Sequence, residues 1–258
     1  MSFRVLTLNV NGLRSAISKG LLEWLPEQNA DVICLQETRI QADQRVKLAH
    51  ALKGYDAQFE DASSKGYSGV AIYSKVQPLA WARGISVPEF DGEGRWLQAD
   101  FADVSVVSLY LPSGSSGELR QNFKFQTLDW LRGKLDALAG RRVIVCGDWN
   151  IAHQNIDIKN WRSNQKNSGF LPAERQWLGE LLQAGWVDTH RVLKPELAEY
   201  TWWSNRGNAY NNDVGWRIDY QIASPALHAT PMRAQVFRTP RFSDHAPLVV
   251  DYDLGKSL

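Results

Sequence analysis

Short apolar runs recur along the chain at Phe3 to Val10, Asp31 to Gln36, Gly69 to Ser74, Trp96 to Phe101, Val104 to Leu111, Val143 to Gly147, Trp216 to Ala223 and Leu248 to Tyr252. Their length and their Gly, Asn, Asp and Ser flanks predict β-strands. Two stretches differ. Glu118 to Leu138 places Phe123, Leu128, Leu131, Leu135 and Leu138 at helical spacing, and Glu174 to Gln183 does the same with Trp177, Leu178, Leu181 and Leu182. Both predict amphipathic helices. A further helix is expected at Lys19 to Gln28, between the first two strands, whereas the back-to-back strands of Gly69 to Leu111 suit antiparallel hairpins. The pattern predicts an α/β fold with mixed sheets covered by helices. No repeat, linker or low-complexity tract divides it, so residues 1–258 are expected to form one domain.

Polar residues interrupt this pattern at the strand ends. "LTLNVNG" places Asn9 and Asn11 on one side by alternation, "VICLQET" closes its apolar run with Glu37, and "VIVCGDWN" ends in Asp148 and Asn150. "GWRIDYQIA" carries Asp219 within an apolar alternation, and "RFSDHAPLVV" sets Asp244 and His245 directly before a strand. Each has an ordinary structural explanation taken alone. Asn-x-Asn-Gly suits a turn, Glu37 a solvated strand end, and Asp219 a partner for Arg217 or Arg241. Together they make an oxygen-rich group with one imidazole, the donor set of Mg²⁺ or Mn²⁺ rather than of a thiolate metal. Carboxylates gathered without a cation would repel one another, and Mg²⁺ commonly serves phosphate chemistry.

Composition narrows the class. The formal net charge is +1, so any nucleic-acid footprint must be local rather than global. Cys34 and Cys146 lie in apolar runs and read as reduced core thiols, and neither a signal peptide nor a membrane span is legible. A cytoplasmic, non-membrane protein is expected. Eleven tryptophans are a heavy load, and Tyr200 to Asp219 concentrates three of them with two tyrosines around a polar loop.

Asn9-Val-Asn11-Gly, Gln36-Glu37-Thr38, Gly147-Asp148-Trp149-Asn150, Arg217-Ile-Asp219 and Ser243-Asp244-His245, with "GYSGVAIYSK" (66–75) and "SLYLPSGS" (108–115), resemble in order the motifs of the exonuclease III family of apurinic/apyrimidinic endonucleases. That family sits within the endonuclease/exonuclease/phosphatase superfamily. The resemblance spans nearly the full chain and implies a DNase I-like four-layer sandwich, two mixed β-sheets packed face to face and flanked by helices.

The resemblance also implies roles. Glu37 would be the main metal ligand, with Asn9 and Asn11 beside it and Asp148, Asn150, Asp244 and His245 around the same ion. Asp148 would orient or deprotonate the attacking water, Asn150 would hold that water and the phosphate, Asp219 would orient His245, and Tyr110 would donate to the phosphate. Trp202, Trp216 and Ile218 match the pocket that receives an extrahelical abasic deoxyribose, an apolar sugar face that an indole can cover. Arg14, Lys65, Tyr67, Asn160, Asn164 and Asn167 are candidates for DNA contacts, and Arg206 for a wedge into the duplex. Arg39 departs from the family's usual Lys after Glu-Thr.

The expected activity is an Mg²⁺-dependent class II endonuclease of base excision repair, with Mn²⁺ as a substitute. It would act as a monomer on double-stranded DNA bearing abasic sites or blocked 3′ ends. Two other readings stand beside it. One is a catalytically silent nucleic-acid regulator of the catabolite repression control type, against which the intact acids argue. The other is a phosphatase or lipid phosphodiesterase, which gives no reason for the Trp202 and Trp216 pair.

Overall fold

The computed structural model describes residues 2–49 and 51–255. Its strands are β1 (Ser2–Asn9), β2 (Val32–Gln36), β3 (Asp56–Glu60), β4 (Val70–Ser74), β5 (Ala80–Arg83), β6 (Trp96–Asp100), β7 (Ser105–Tyr110), β8 (Val143–Asp148), β9 (Val187–Asp188), β10 (Trp202–Trp203), β11 (Gly215–Trp216), β12 (Asp219–Ala223), β13 (Pro231–Val236) and β14 (Leu248–Asp253). They form two six-stranded sheets in the orders β13-β14-β1-β2-β4-β3 and β5-β6-β7-β8-β12-β9, with β10 and β11 as a separate pair. Both large sheets are mixed. β1 runs parallel to β2 and β7 parallel to β8, and the other pairings are antiparallel.

Strand alternation sorts each apolar residue into a layer. Val5, Val32, Cys34, Ile72 and Val250 of the first sheet pack against Leu97, Val106, Ile144, Cys146 and Ala223 of the second, forming the central core. The opposite parity of the first sheet, Leu6, Leu8, Ile33 and Leu35, is covered by Leu13, Ala16, Leu21 and Trp24 from the helices that follow β1. The outer face of the second sheet, Val107, Leu109, Val143 and Val145, is covered by Leu128, Leu131 and Leu135 of helix Glu118–Leu138 and Leu178 of helix Pro172–Gln183. This is the four-layer sandwich. Each fully buried Val, Leu or Ile contributes roughly 1.5–3 kcal/mol by leaving water.

The same alternation carries polar residues into the inner face at one end. Val5, Thr7 and Asn9 share a parity, as do Cys34 and Gln36, Val106, Ser108 and Tyr110, Cys146 and Asp148, and Asp219, Gln221 and Ala223. The deeper members satisfy one another. Thr7 Oγ1 donates to Gln36 Oε1 at 3.2 Å, Gln36 Nε2 to Ser108 Oγ at 2.9 Å, Gln221 Nε2 to the Val5 carbonyl at 2.9 Å, and Tyr252 to Gln221 Oε1 at 2.8 Å. A hydrogen-bonded polar layer thus separates the apolar centre from the strand ends.

Three expectations need correction. The expected helix at Lys19–Gln28 is present as Leu21–Glu27, but a second helix that was not expected, Leu13–Ser18, precedes it and is separated from it where Gly20 takes φ 88°. The expected strand at Trp216–Ala223 is also two, because the Arg217 amide donates to the Asp157 carbonyl while the Ile218 and Asp219 amides donate to Thr201 Oγ1. Arg217 and Ile218 therefore leave the ladder and Asp219 opens β12. The weakly patterned β3, β5 and β13, with several polar or exposed positions each, were not expected as strands. Cys34 and Cys146 are buried free thiols.

Gly147 marks a close approach between parallel β7 and β8. It takes φ 145°, and a Cβ there would stand 1.8 Å from the Leu109 carbonyl oxygen. Gly147→Ala should therefore destabilise the fold by about 3 kcal/mol or more, lowering the midpoint of thermal unfolding by roughly 6 °C or more. An unchanged midpoint by circular dichroism would mean that the two strands are not this close.

Candidate active site

Register brings the polar strand ends together. Asn9 pairs with Gln36 across β1 and β2, Tyr110 with Asp148 across β7 and β8, and Asp148 with Asp219 across β8 and β12. Tight backbone turns then fold the following residues back over this edge. Asn11, Glu37, Arg39 and Asn150 all take φ between 44° and 52°. Glu37 by parity would face the outer helices, and its left-handed conformation redirects it into the cluster.

The Asn9 carboxamide joins the two sheets. Its Nδ2 donates to Glu37 Oε1 at 2.8 Å and to Asp148 Oδ2 at 2.9 Å, while its Oδ1 accepts from the Asn11 amide at 2.9 Å. Asn11 Nδ2 donates to Asp244 Oδ1 at 2.8 Å, and Trp202 Nε1 to Asp244 Oδ2 at 3.1 Å. His245 Nδ1 lies 2.9 Å from Asp219 Oδ2, and His245 Nε2 lies 3.8 Å from Asp148 Oδ2. Asn150 is pinned by donating Nδ2 to the Leu111 carbonyl at 2.9 Å, and its amide donates to Asp148 Oδ1 at 2.9 Å.

These contacts set the charges. Burial pushes the Asp148 carboxyl up to about 7, against the pull of His245 and the Asn9 amide. Burial opposes charge on His245, but Asp219 and Asp148 outweigh it and raise the imidazole to about 10, favouring the cation. Burial would also raise Glu37, yet the Asn9 amide, Arg39 and Tyr110 hold it below the usual carboxylate range. Arg39 reaches Glu37 Oε2 through both Nε and Nη2, a forked contact that Lys could not make.

Glu37, Asp148 and His245 each offer a ligand atom within 4.8 Å of the others. Two carboxylates with neighbouring amide oxygens fit a hard divalent cation. His245 is the weaker member of that set, since an imidazole protonated on both nitrogens has no lone pair to give a metal.

A cavity of about 670 Å³ opens over this cluster, lined by Glu37, Tyr110, Asp148, Asn150, Asp244 and His245 and walled by Trp202, Trp216 and Ile218. The two indoles meet edge to face, 6.1 Å between centroids, across the β10–β11 pair. Phe170 backs Trp216 at 6.5 Å.

The sequence profile of the Endonuclease/Exonuclease/phosphatase family matches residues 6–245. The chain belongs to that family. An exodeoxyribonuclease of Bacillus subtilis (strain 168) is 40% identical over 248 residues, covering 95% of this chain and 97% of that protein. Among solved structures, an AP endonuclease from Archaeoglobus fulgidus has a TM-score of 0.88 at 29% identity, covering 97% of this chain and 99% of that one. The 3′ phosphatase NExo from Neisseria, solved bound to a product DNA hairpin, has a TM-score of 0.89 at 28% identity, covering 97% and 99%.

The expected site residues of this family member divide into two groups. Asn9, Asn11, Glu37, Tyr110, Asp148, Asn150, Asp219, Asp244, His245, Trp202, Trp216 and Ile218 are brought to one sheet edge by the contacts above. Of the residues expected to meet DNA, only Asn167 lines the cavity. Asn160 is exposed outside the cavity lining, and the Asn164 side chain is engaged within its own loop, its Nδ2 donating to the Asn160 carbonyl at 2.8 Å and its Oδ1 accepting from Asn167 Nδ2 at 2.7 Å. Arg14, Lys65 and Arg206 are exposed outside the cavity lining. Tyr67 is likewise outside the lining, held by Arg95 and Arg120, whose guanidiniums donate to its hydroxyl at 2.9 and 3.0 Å.

Sequence reasoning missed the supporting charges. Arg95 is buried, stacks 4.5 Å from the Tyr110 ring and donates to the Tyr110 carbonyl at 3.0 Å. Arg217 does not pair with Asp219 but lies buried between Asp157 at 2.8 Å and Asp188 at 2.7 Å, fixing the backbone between Trp216 and Ile218. Arg217's partners lie 60 and 29 residues away and left no local signal, whereas Arg95 pairs with nearby Glu93 at 2.6 Å and reaches Tyr110 only through the fold.

The Asp157 pair gives the fold an acid limit. Burial would raise this carboxyl, but Arg217 and Arg191 prevail and hold it at about 2. A carboxyl lowered in the folded state stabilises above its unfolded value near 4 and loses that contribution, about 2 kcal/mol, as pH falls from about 4 toward 2. Urea midpoints measured across that window should fall less steeply for Asp157→Asn than for the unmodified chain, and parallel slopes would contradict the pairing.

Proposed function

We propose that this chain is a DNA repair nuclease, an Mg²⁺-dependent class II endonuclease. It hydrolyses the phosphodiester 5′ to an abasic site in double-stranded DNA, leaving a 3′ hydroxyl and a 5′ deoxyribose phosphate, and also trims blocked 3′ ends. The observation that carries this reading is one cavity holding both the carboxylate–histidine cluster and the Trp202–Trp216 wall. Phosphodiester chemistry accounts for the first, and a sugar without its base for the second. The AP endonuclease and 3′ phosphatase named among the structural neighbours support both activities.

Asp148 stands to take the proton of the attacking water, with Asn150 fixed beside it by the Leu111 contact. His245, held through Nδ1 by Asp219, turns Nε2 toward the phosphate, and Tyr110 donates from the neighbouring strand. Glu37 and Asp148 would hold the Mg²⁺, or Mn²⁺ in its place, with the Asn9 amide donating to both carboxylates rather than ligating, and the ion's charge would offset that developing on the phosphate and the departing 3′ oxygen. The Trp202 indole is oriented by its bond to Asp244 and lies 6.5 Å from the His245 ring, so a sugar on the wall abuts the reacting phosphate. A lesion lacking a base pair is also the easier nucleotide to extrude. Every one of these groups belongs to one chain, which suits action as a monomer, and the free thiols suit the reducing cytoplasm.

Among the described residues no helix is long and apolar enough to cross a membrane. A regulator that binds nucleic acid without cutting it would have no use for this carboxylate cluster, and no second reading is favoured.

Purified protein with Mg²⁺ should nick a duplex carrying a tetrahydrofuran abasic analogue on its 5′ side, and outpace any release of phosphate from an inositol phosphate. An intact strand at enzyme excess would overturn the reading. Asp148→Asn should slow cleavage by at least about 10³-fold while leaving affinity for the abasic duplex within roughly tenfold, because a base is lost rather than contact surface. Equal loss of binding and cleavage would make Asp148 a structural residue instead.

A further inference from the structure

Helix Glu118–Leu138 carries Lys124 into the second sheet's outer layer, where its side chain is fully buried against the equally buried Glu174 at 2.6 Å. An ion pair so placed is a poor device for stability, since an apolar pair of equal volume would cost no desolvation. Its other contacts run to the active-site cavity. Lys124 Nζ donates to the Asn150 carbonyl at 2.7 Å. Glu174 Oε2 accepts from the Gly169 and Leu171 amides at 2.7 and 3.0 Å, and Oε1 from Gln121 Nε2 at 3.1 Å. Asn150, Gly169, Leu171 and Gln121 all line the cavity.

Three separate segments therefore meet on one pair: the end of β8, the loop that leads into helix Pro172–Gln183, and the start of helix Glu118–Leu138. Asn150 has the left-handed conformation with φ 50°, which a non-glycine residue keeps only when its surroundings hold it. The Ala152 amide donates to the Gly169 carbonyl at 2.7 Å, and a Cβ on Gly169 would lie 3.2 Å from the Trp216 ring. The spacing between the Asn150 side chain and the indole wall passes through this junction.

We propose that Lys124 and Glu174 are positioning residues, a buried clamp that sets Asn150 and the Gly169–Leu171 loop at the separation the cleavage reaction needs. The inference rests on the nuclease reading above for its kinetic consequence, while its structural consequence stands independently. A displacement near 1 Å at a reacting group costs about 10²-fold in rate, so the effect belongs in turnover.

The test compares Lys124→Met with Leu135→Ala, a core truncation on the same helix away from the cavity. In ¹⁵N-labelled protein, Lys124→Met should move or broaden the Asn150 and Gly169 amide signals and the Trp216 indole signal, and Leu135→Ala should leave all three in place. On the tetrahydrofuran duplex with Mg²⁺, kcat of Lys124→Met should fall by roughly tenfold to a hundredfold with KM within about threefold. In an Asn150→Ala background the same substitution should change kcat by less than about twofold.

Unmoved signals would overturn the clamp whatever the activity. Moved signals with an unchanged kcat, in a wild type that does cut, would overturn its catalytic role alone. A wild type that does not cut would instead remove the nuclease reading and leave the signals to decide the clamp. If Lys124→Met does not fold, Glu174→Gln reads the same signals and rates.

Discussion

Everything at the active edge depends on how two carboxylates from different sheets, the buried Asp148 and the half-buried Glu37, are kept side by side. Glu37 follows a strand of one sheet and Asp148 ends a strand of the other, and their charges would drive them apart in a dry interior. The Asn9 carboxamide resolves this by donating one hydrogen to each, at 2.8 and 2.9 Å, while its own oxygen is satisfied by the next turn. Arg39 and His245 complete the compensation from either side. Half-satisfied, such a network would be among the least stable parts of the molecule, which explains why its outer members are themselves tied down.

That tying down follows one rule around the site. Asp219 fixes His245, the Trp202 indole fixes Asp244, the Leu111 carbonyl fixes Asn150, and Arg95 brackets Tyr110. Behind the aromatic wall, Arg217 between Asp157 and Asp188 holds the segment joining Trp216 to Asp219. Preorganised groups of this kind lower a barrier without having to move during reaction. They also account for the density of buried charge in a chain whose net charge is close to neutral.

Much of this was legible in the sequence through parity alone. Val143 to Asp148, read in alternation, puts Ile144, Cys146 and Asp148 on one face, and the same count leads from Val5 through Thr7 to Asn9. The polar residues thus announce the edge at which the apolar core ends. Alternation fails where the backbone turns left-handed. Asn150 does not simply continue the parity of Asp148, and Glu37 reaches the cluster only because its φ of 52° reverses its side. The buried ion pairs left no trace, because Lys124 and Glu174, or Arg217 and Asp157, are joined only by the fold and each looks like an ordinary surface charge in its own neighbourhood. Trp149, between the two reacting residues, is fully buried among Trp177 and Tyr220 as the anchor of that strand end.

The central claim is that Glu37 and Asp148, delivered by separate sheets, act as one unit on one phosphate. A double-mutant cycle on single-turnover cleavage of an abasic duplex tests this most directly, using Glu37→Gln, Asp148→Asn and both together. Groups that act as a unit give strongly non-additive losses, so the double variant should be no more than about tenfold slower than the worse single one. Losses that multiply, with the double variant slower by the full product of the two single effects, would contradict the account and make them independent contributors.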